Sequence, residues 1–128
     1  MKYLLDTHLL IWAAGDEPRL SRSARDLLED EDNAVIFSAA SIWEISIKAA
    51  LGRSSFQLSA AVFRRGLIEV GYRELDITSA HAVAVGDLPR IHSDPFDRML
   101  VAQARTEGYT LLTSDRRVAE YGSPTLLV

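Results

Sequence analysis

The 128-residue chain contains no cysteine. Disulfides, thiolate zinc sites and cysteine nucleophiles are therefore excluded. It also lacks an excess of positive charge: 14 Lys and Arg stand against 18 Asp and Glu, a formal charge of −4. That balance gives no general electrostatic footprint for nucleic acid, so a polyanion would have to be held by local cations, from side chains or bound metal. Long apolar runs are missing too. The N-terminal "KYLLDTHLLIWAAG" is interrupted by Asp6 and His8, and no small-residue cleavage site follows it, unlike a secretory signal. No other stretch is long enough to span a bilayer. The expectation is a soluble cytoplasmic protein. Repeats, linkers and low-complexity tracts are absent, and the length suits a single domain over residues 1–128. What is present is a hydrophobic fraction of 48%, which is too high for a disordered chain.

The apolar residues fall into alternating short blocks. Residues 2–5 read as a buried strand and 7–14 as a helix broken by "GDEP". Ser21 suits the N-cap of an amphipathic helix, "RSARDLLEDED", whose acids form a solvated face. "AVIFS" (34–38) is β-rich. "AASIWEISIKAALGR" reads as a helix ended by Gly52, apolar nearly all round and so buried or facing a partner chain. A helix over 58–72, a short strand at 74–77 ("ELDI") and a helix over 79–86 follow. After the loop "GDLPRIHSDP" comes a helix over 95–108 with Pro95 in its first turn. "YTLLTS" (109–114) is a strand, "RRVAEYG" a short helix and "TLLV" a last edge strand. Continuously apolar strands alternating with helices imply an α/β fold whose parallel sheet is covered on both faces. In such sheets the functional crevice lies beyond the carboxyl ends of the strands.

The carboxylates follow this layout. Asp6 ends the first strand, Glu44 lies near the start of the helix after the second, Asp97 opens its helix and Asp115 ends the next strand. A helix of about ten residues from Asp97 descends roughly 15 Å. A strand of about five or six residues climbs back roughly 18 Å, which returns Asp115 to the level of Asp97. Each acid also has a structural reading. Asp6 and Asp115 suit N-caps, Ser41 and Glu44 fit an S-x-x-E capping box, and Asp94 with Pro95 makes an N-cap and N1 pair that leaves Asp97 on the helix dipole. Capping leaves unexplained why Glu44 sits among Ile42, Trp43, Ile45 and Ile47. Four converging carboxylates would repel, and a hard divalent cation removes the difficulty; an all-oxygen acidic site suits magnesium or manganese.

"LLDTH", "SIWE", "HSDPFDRMLVAQA" and "LLTSD", in this order and spacing, resemble the PIN-domain family, in particular its VapC-type toxin ribonucleases. The resemblance spans essentially the whole chain. It implies a three-layer α/β/α domain with a central parallel sheet and a Mg2+- or Mn2+-dependent endoribonuclease. By position it makes Asp6, Glu44 and Asp97 the three core catalytic and metal-binding acids and Asp115 the fourth, more variable one, with Asp94 capping or supporting. It further implies an RNA substrate, a homodimer, and a cognate antitoxin whose tail enters the active-site groove.

Other residues carry smaller expectations. Lys48, one turn past Glu44, fits an i,i+4 ion pair, with contact to substrate phosphate as the alternative. Arg98, Arg116 and Arg117 flank the acidic rim, either as solvated surface or to steer RNA. Thr7, Thr113 and Ser114 are candidates to hydrogen-bond the ligand carboxylates. His8, His81 and His92 lack paired metal-ligand spacing, and Trp12, Trp43 and Phe96 read as core or interface aromatics. A non-catalytic PIN-like module that binds RNA or protein is the competing function. An Asp6 phosphoryl-transfer nucleophile is disfavoured: dehalogenase-like phosphatases carry a second Asp two residues on, where this chain has His8, and the paired acids and late lysine of receiver domains are absent.

Overall fold

The computed structural model describes residues 1–15, 17–52 and 58–128. Asp16 of the "GDEP" break and the Arg53 end of the third helical segment lie outside the described residues. The described residues form one five-stranded parallel sheet of β1 (Lys2–Leu5), β2 (Ala34–Ser38), β3 (Arg73–Leu75), β4 (Thr110–Thr113) and β5 (Thr125–Leu127). Its order is β3-β2-β1-β4-β5. The helices are α1 (Thr7–Ala14), α2 (Arg22–Glu29), α3 (Ala39–Ala50), α4 (Ala60–Glu69), α5 (Ser79–Gly86), α6 (Pro95–Glu107) and α7 (Arg116–Ala119).

Strand alternation sorts the apolar residues onto two faces. Leu4 pairs with Ile36 and Leu111, and this set packs with Leu100 and Val101 of α6 and Val118 of α7. Tyr3, Leu5, Val35, Phe37 and Leu112 face the other way, onto Leu9 and Leu10 of α1, Ala24 of α2 and Leu67 of α4. Both faces are thus covered, which makes three layers and explains why the strands read as unbroken apolar runs. Each fully buried leucine contributes about 1.5–3 kcal/mol, and Leu4, Leu5, Leu10, Leu111 and Leu112 lie at the centre.

The chain builds outward from β1 through β2 to β3, then crosses back to lay β4 on the other side of β1. The direction reverses between β1 and β4. A crevice opens at such a reversal because the connections on either side leave in opposite directions. The backbone N–H of Asp6 donates to Leu112 O at 3.0 Å, so the ladder between these strands runs up to the crevice.

Several boundaries differ from the sequence reading. The first expected acidic helix stops at Glu29, because Asp30 turns the chain by accepting from the Asp32 N–H at 2.9 Å. The helix expected over 58–72 spans Ala60–Glu69, capped by Ser59. β3 begins and ends earlier than "ELDI" because its pairing with β2 runs from Ile36↔Arg73 to Ser38↔Leu75. α6 follows expectation, with Pro95 at its start and Gly108 at φ 75° closing it in the left-handed region that favours glycine. Among the described residues no helix is long and apolar enough to cross a membrane.

Candidate active site

Asp6 leaves β1 directly into α1, and its 4% exposure shows that the sheet delivers it inside the protein. Oδ1 accepts from Leu9 N at 2.9 Å, the N-cap bond expected from sequence, while Oδ2 accepts from the Thr113 hydroxyl. Burial pushes its carboxyl above the ordinary range. The two hydrogen bonds and the nearby His8 pull it back, and Asp115 adds to the rise. Thr113 Oγ1 also accepts from Asp115 N at 3.0 Å, so one hydroxyl at the end of β4 ties two acids together. Asp115 caps α7 through Arg117 N at 2.8 Å and leaves its other oxygen toward the crevice.

Glu44 is not part of the expected capping box. β2 runs straight into α3, so Ser38, not Ser41, meets the first free N–H and accepts from Ala40 N at 2.9 Å. Ser41 lies inside the helix and accepts from the Thr7 hydroxyl at 2.9 Å, which also takes Thr7 away from the carboxylates. Glu44 therefore stands in the second turn, only 3% exposed. Its Oε2 accepts from Lys48 Nζ, the expected i,i+4 pair, while Oε1 is buried with no hydrogen-bond partner among the described residues. Such an orphan oxygen is costly, and a cation is the partner its charge calls for.

Asp97 sits in the first turn of α6, behind the N-cap Asp94, which accepts from Phe96 N at 2.8 Å. Its carboxyl is pushed up to about 8, first by burial and then by the charges of Asp94, Asp6, Glu44 and Asp115. These repelling partners show that four remote stretches of chain face one space. That space is a cleft of about 400 Å³ lined by Asp6, His8, Trp12, Glu44, His92, Asp94, Asp97, Ser114 and Asp115. All four sequence-predicted acids are brought together there.

His92 is the site residue that sequence reasoning missed. Its Nε2 lies 3.0 Å from Asp97 Oδ2 and 3.8 Å from Asp115 Oδ2, and ligand atoms of the three residues lie within 4.8 Å of one another. Nδ1 accepts from Asp94 N at 3.4 Å, which leaves the hydrogen on Nε2, aimed at Asp97. No ligand spacing marks it. The available signal was its place in the loop leading to the acid-headed α6. Trp12 packs against the core as expected and also lines the cleft, with the Arg19 guanidinium 4.9 Å from its ring. Trp43 is 58% exposed and meets Phe96 edge-on at 5.1 Å. His81, by contrast, is a core residue: Nε2 pairs with Glu107 at 2.8 Å and Nδ1 accepts from Thr78 N at 3.0 Å.

The donors are carboxylate oxygens, one of them buried and without a partner among the described residues, beside the His92 imidazole. This set fits a hard divalent cation such as magnesium or manganese, which takes oxygen ligands and offsets the mutual repulsion.

A three-layer parallel α/β fold carrying an acidic cleft at its switch point defines the class, and the comparisons agree. The family profile of the PIN domain matches residues 3–123, and the chain belongs to that family. It is 30% identical over 122 residues to ribonuclease VapC22 of Mycobacterium tuberculosis (strain ATCC 25618 / H37Rv), covering 94% of this chain and 92% of that protein. Among solved structures it resembles VapBC2 from Rickettsia felis bound to a promoter DNA fragment, with TM-score 0.68, 18% identity and coverage of 100% and 98% of the two chains. It also resembles a toxin–antitoxin complex from Klebsiella pneumoniae, with TM-score 0.63, 19% identity and coverage of 97% and 95%.

Proposed function

We propose that this chain is a metal-dependent endoribonuclease, the toxin of a toxin–antitoxin pair, with Asp6, Glu44, Asp97 and Asp115 as its catalytic and metal-holding acids. The observation that carries the reading is that Glu44, whose Oε1 has no partner among the described residues, lines a cleft that also gathers Asp6, Asp97 and Asp115. Kinship with ribonuclease VapC22 supports RNA as substrate, and the VapC-type sequence resemblance supports an antitoxin as partner. The stripe of Trp43, Ile47 and Leu51, exposed on one side of α3 and beyond its end, offers an apolar surface for a homodimer.

Asp6, Glu44, Asp97 and Asp115 would hold a Mg2+ or Mn2+ ion, which would neutralise the carboxylates, attract a phosphodiester and lower the pKa of a water. Asp6 and Glu44 are held ready for it by Leu9, Thr113 and Lys48. Asp97, whose pKa is raised by burial and by the charges of Asp94, Asp6, Glu44 and Asp115, would ionise beside a bound cation that compensated this repulsion. His92 fixes the orientation of Asp97 through its N–H, and Thr113 fixes the span between Asp6 and Asp115.

The test is incubation of partner-free protein with single-stranded RNA in the presence of Mg2+, Mn2+ or chelator. Cleavage is expected with ion and none with chelator. Asp6→Asn retains an oxygen for Leu9 N and an amide to donate to Thr113, so it folds and loses cleavage. A folded Asp6→Asn protein with full ion-dependent activity overturns the assignment, and ion binding without cleavage by the wild type favours a PIN-like binding module.

A further inference from the structure

A second cleft, of about 450 Å³, adjoins the acidic one and has the opposite character. It is lined by Arg90, Ile91, His92, Ser93, Arg98 and Arg117, with no carboxylate among its described lining residues. His92 lines both clefts, so the two meet at one side chain. Three arginines in one cleft are a concentrated feature in a chain of net charge −4.

The walls of this cleft are fixed. Arg98 donates to Val85 O at 3.0 Å, Pro89 O at 3.0 Å and the Tyr121 hydroxyl at 3.1 Å. Tyr121, itself buried, accepts in turn from His92 N at 3.1 Å. These bonds pin the loop between α5 and α6 from both sides. Arg98 is thus largely committed to holding the wall, which corrects its reading as a solvated or RNA-steering residue. Arg90, on that pinned loop, and Arg117, in α7 just past Asp115, are exposed. Guanidinium forks match phosphate oxygens and a preorganised wall lowers the entropy lost on binding.

We propose that this cleft is a backbone subsite for single-stranded RNA, in which Arg90 and Arg117 hold a phosphate next to the one in the acidic cleft. The strand passes His92 as it leaves the acids, and the arginines supply the local positive charge that the chain as a whole lacks. The inference deepens the nuclease reading and names how its substrate is held.

The test separates binding from cleavage. In an Asp6→Asn background, a fluorescein-labelled 10-nucleotide single-stranded RNA is titrated at several salt concentrations, with and without the added changes Arg90→Glu and Arg117→Glu. The double change is expected to weaken binding at least tenfold and to flatten the log Kd against log salt slope by about 0.7, the share of one phosphate contact on a single strand. Arg90→Gln with Arg117→Gln gives a smaller loss in the same direction. A charge-matched control, Arg22→Glu with Arg65→Glu on α2 and α4, outside both clefts, leaves binding within about twofold. With the native Asp6 the cleft variant raises KM and leaves Mn2+ affinity by calorimetry unchanged. Equal losses in variant and control, no measurable RNA binding by the parent protein, or unchanged affinity and slope in the cleft variant overturn the subsite. A wild-type protein that cleaves nothing while the arginine changes still abolish binding overturns the nuclease reading and leaves the subsite standing.

Discussion

Replacing Asp97 with Asn, in the absence of divalent ions, stabilises the protein at neutral pH. In the fold the Asp97 carboxyl is pushed from its ordinary 3.8 up to about 8, so the native state keeps a proton that the unfolded chain loses across that range. The unfolded state then binds fewer protons, and stability falls as pH rises from about 4 to about 8, by up to ~1.4 kcal/mol per pH unit from this group. At pH 7 the full shift corresponds to about 4 kcal/mol. The His92 N–H, 3.0 Å from Asp97 Oδ2, favours the ionised form and reduces that figure. We expect Asp97→Asn to gain about 1–3 kcal/mol at pH 7–8. It should gain little at pH 4.5, and Asn keeps an oxygen for His92. Urea denaturation in chelator from pH 4.5 to 8 measures this. Mn2+ at a hundredfold excess over its Kd should then raise wild-type stability by about 2.7 kcal/mol and leave the variant unchanged. Identical pH slopes for the two proteins, or a variant less stable at pH 8, refute the claim that Asp97 is held among like charges.

Thr113→Val removes the hydroxyl shared by Asp6 and Asp115 without changing shape. Stability should fall by about 1–3 kcal/mol and Mn2+ affinity by about 10- to 100-fold, read by denaturation and calorimetry. His81→Leu strips Thr78 N of its acceptor and Glu107 of its partner in the core. Stability should drop by about 2–4 kcal/mol, with Mn2+ affinity unchanged in the surviving folded fraction.

Much of this architecture was legible because its causes are local or periodic. The apolar blocks announced strands covered on both faces, and Asp94 and Pro95 marked the start of α6. Segment lengths alone returned Asp115 to the level of Asp97. The misses have physical reasons. Ser41 matches a capping box in spacing, but the cap goes to whichever hydroxyl stands where the strand ends, and that is Ser38. His92 sits in a loop whose path is set by Arg98 and Tyr121, bonds that no periodicity reveals. Arg98 looks like surface charge in the sequence, and only the fold shows three acceptors converging on it. Glu44 stood out through its apolar neighbours, and its lone oxygen is a fact of packing alone.

A rung between β1 and β4, from Asp6 N to Leu112 O, holds Asp6 beside the end of β4. The rung sets the level of Asp6 against the end of β4, and the Thr113 hydroxyl carries that spacing on to Asp115. The loop carrying Arg90 and His92 is anchored independently, through Arg98 and Tyr121. If Arg90 grips the substrate as proposed, descendants of this scaffold can change what they grasp by rewriting residues 87–91, provided His92 keeps its place beside Asp97.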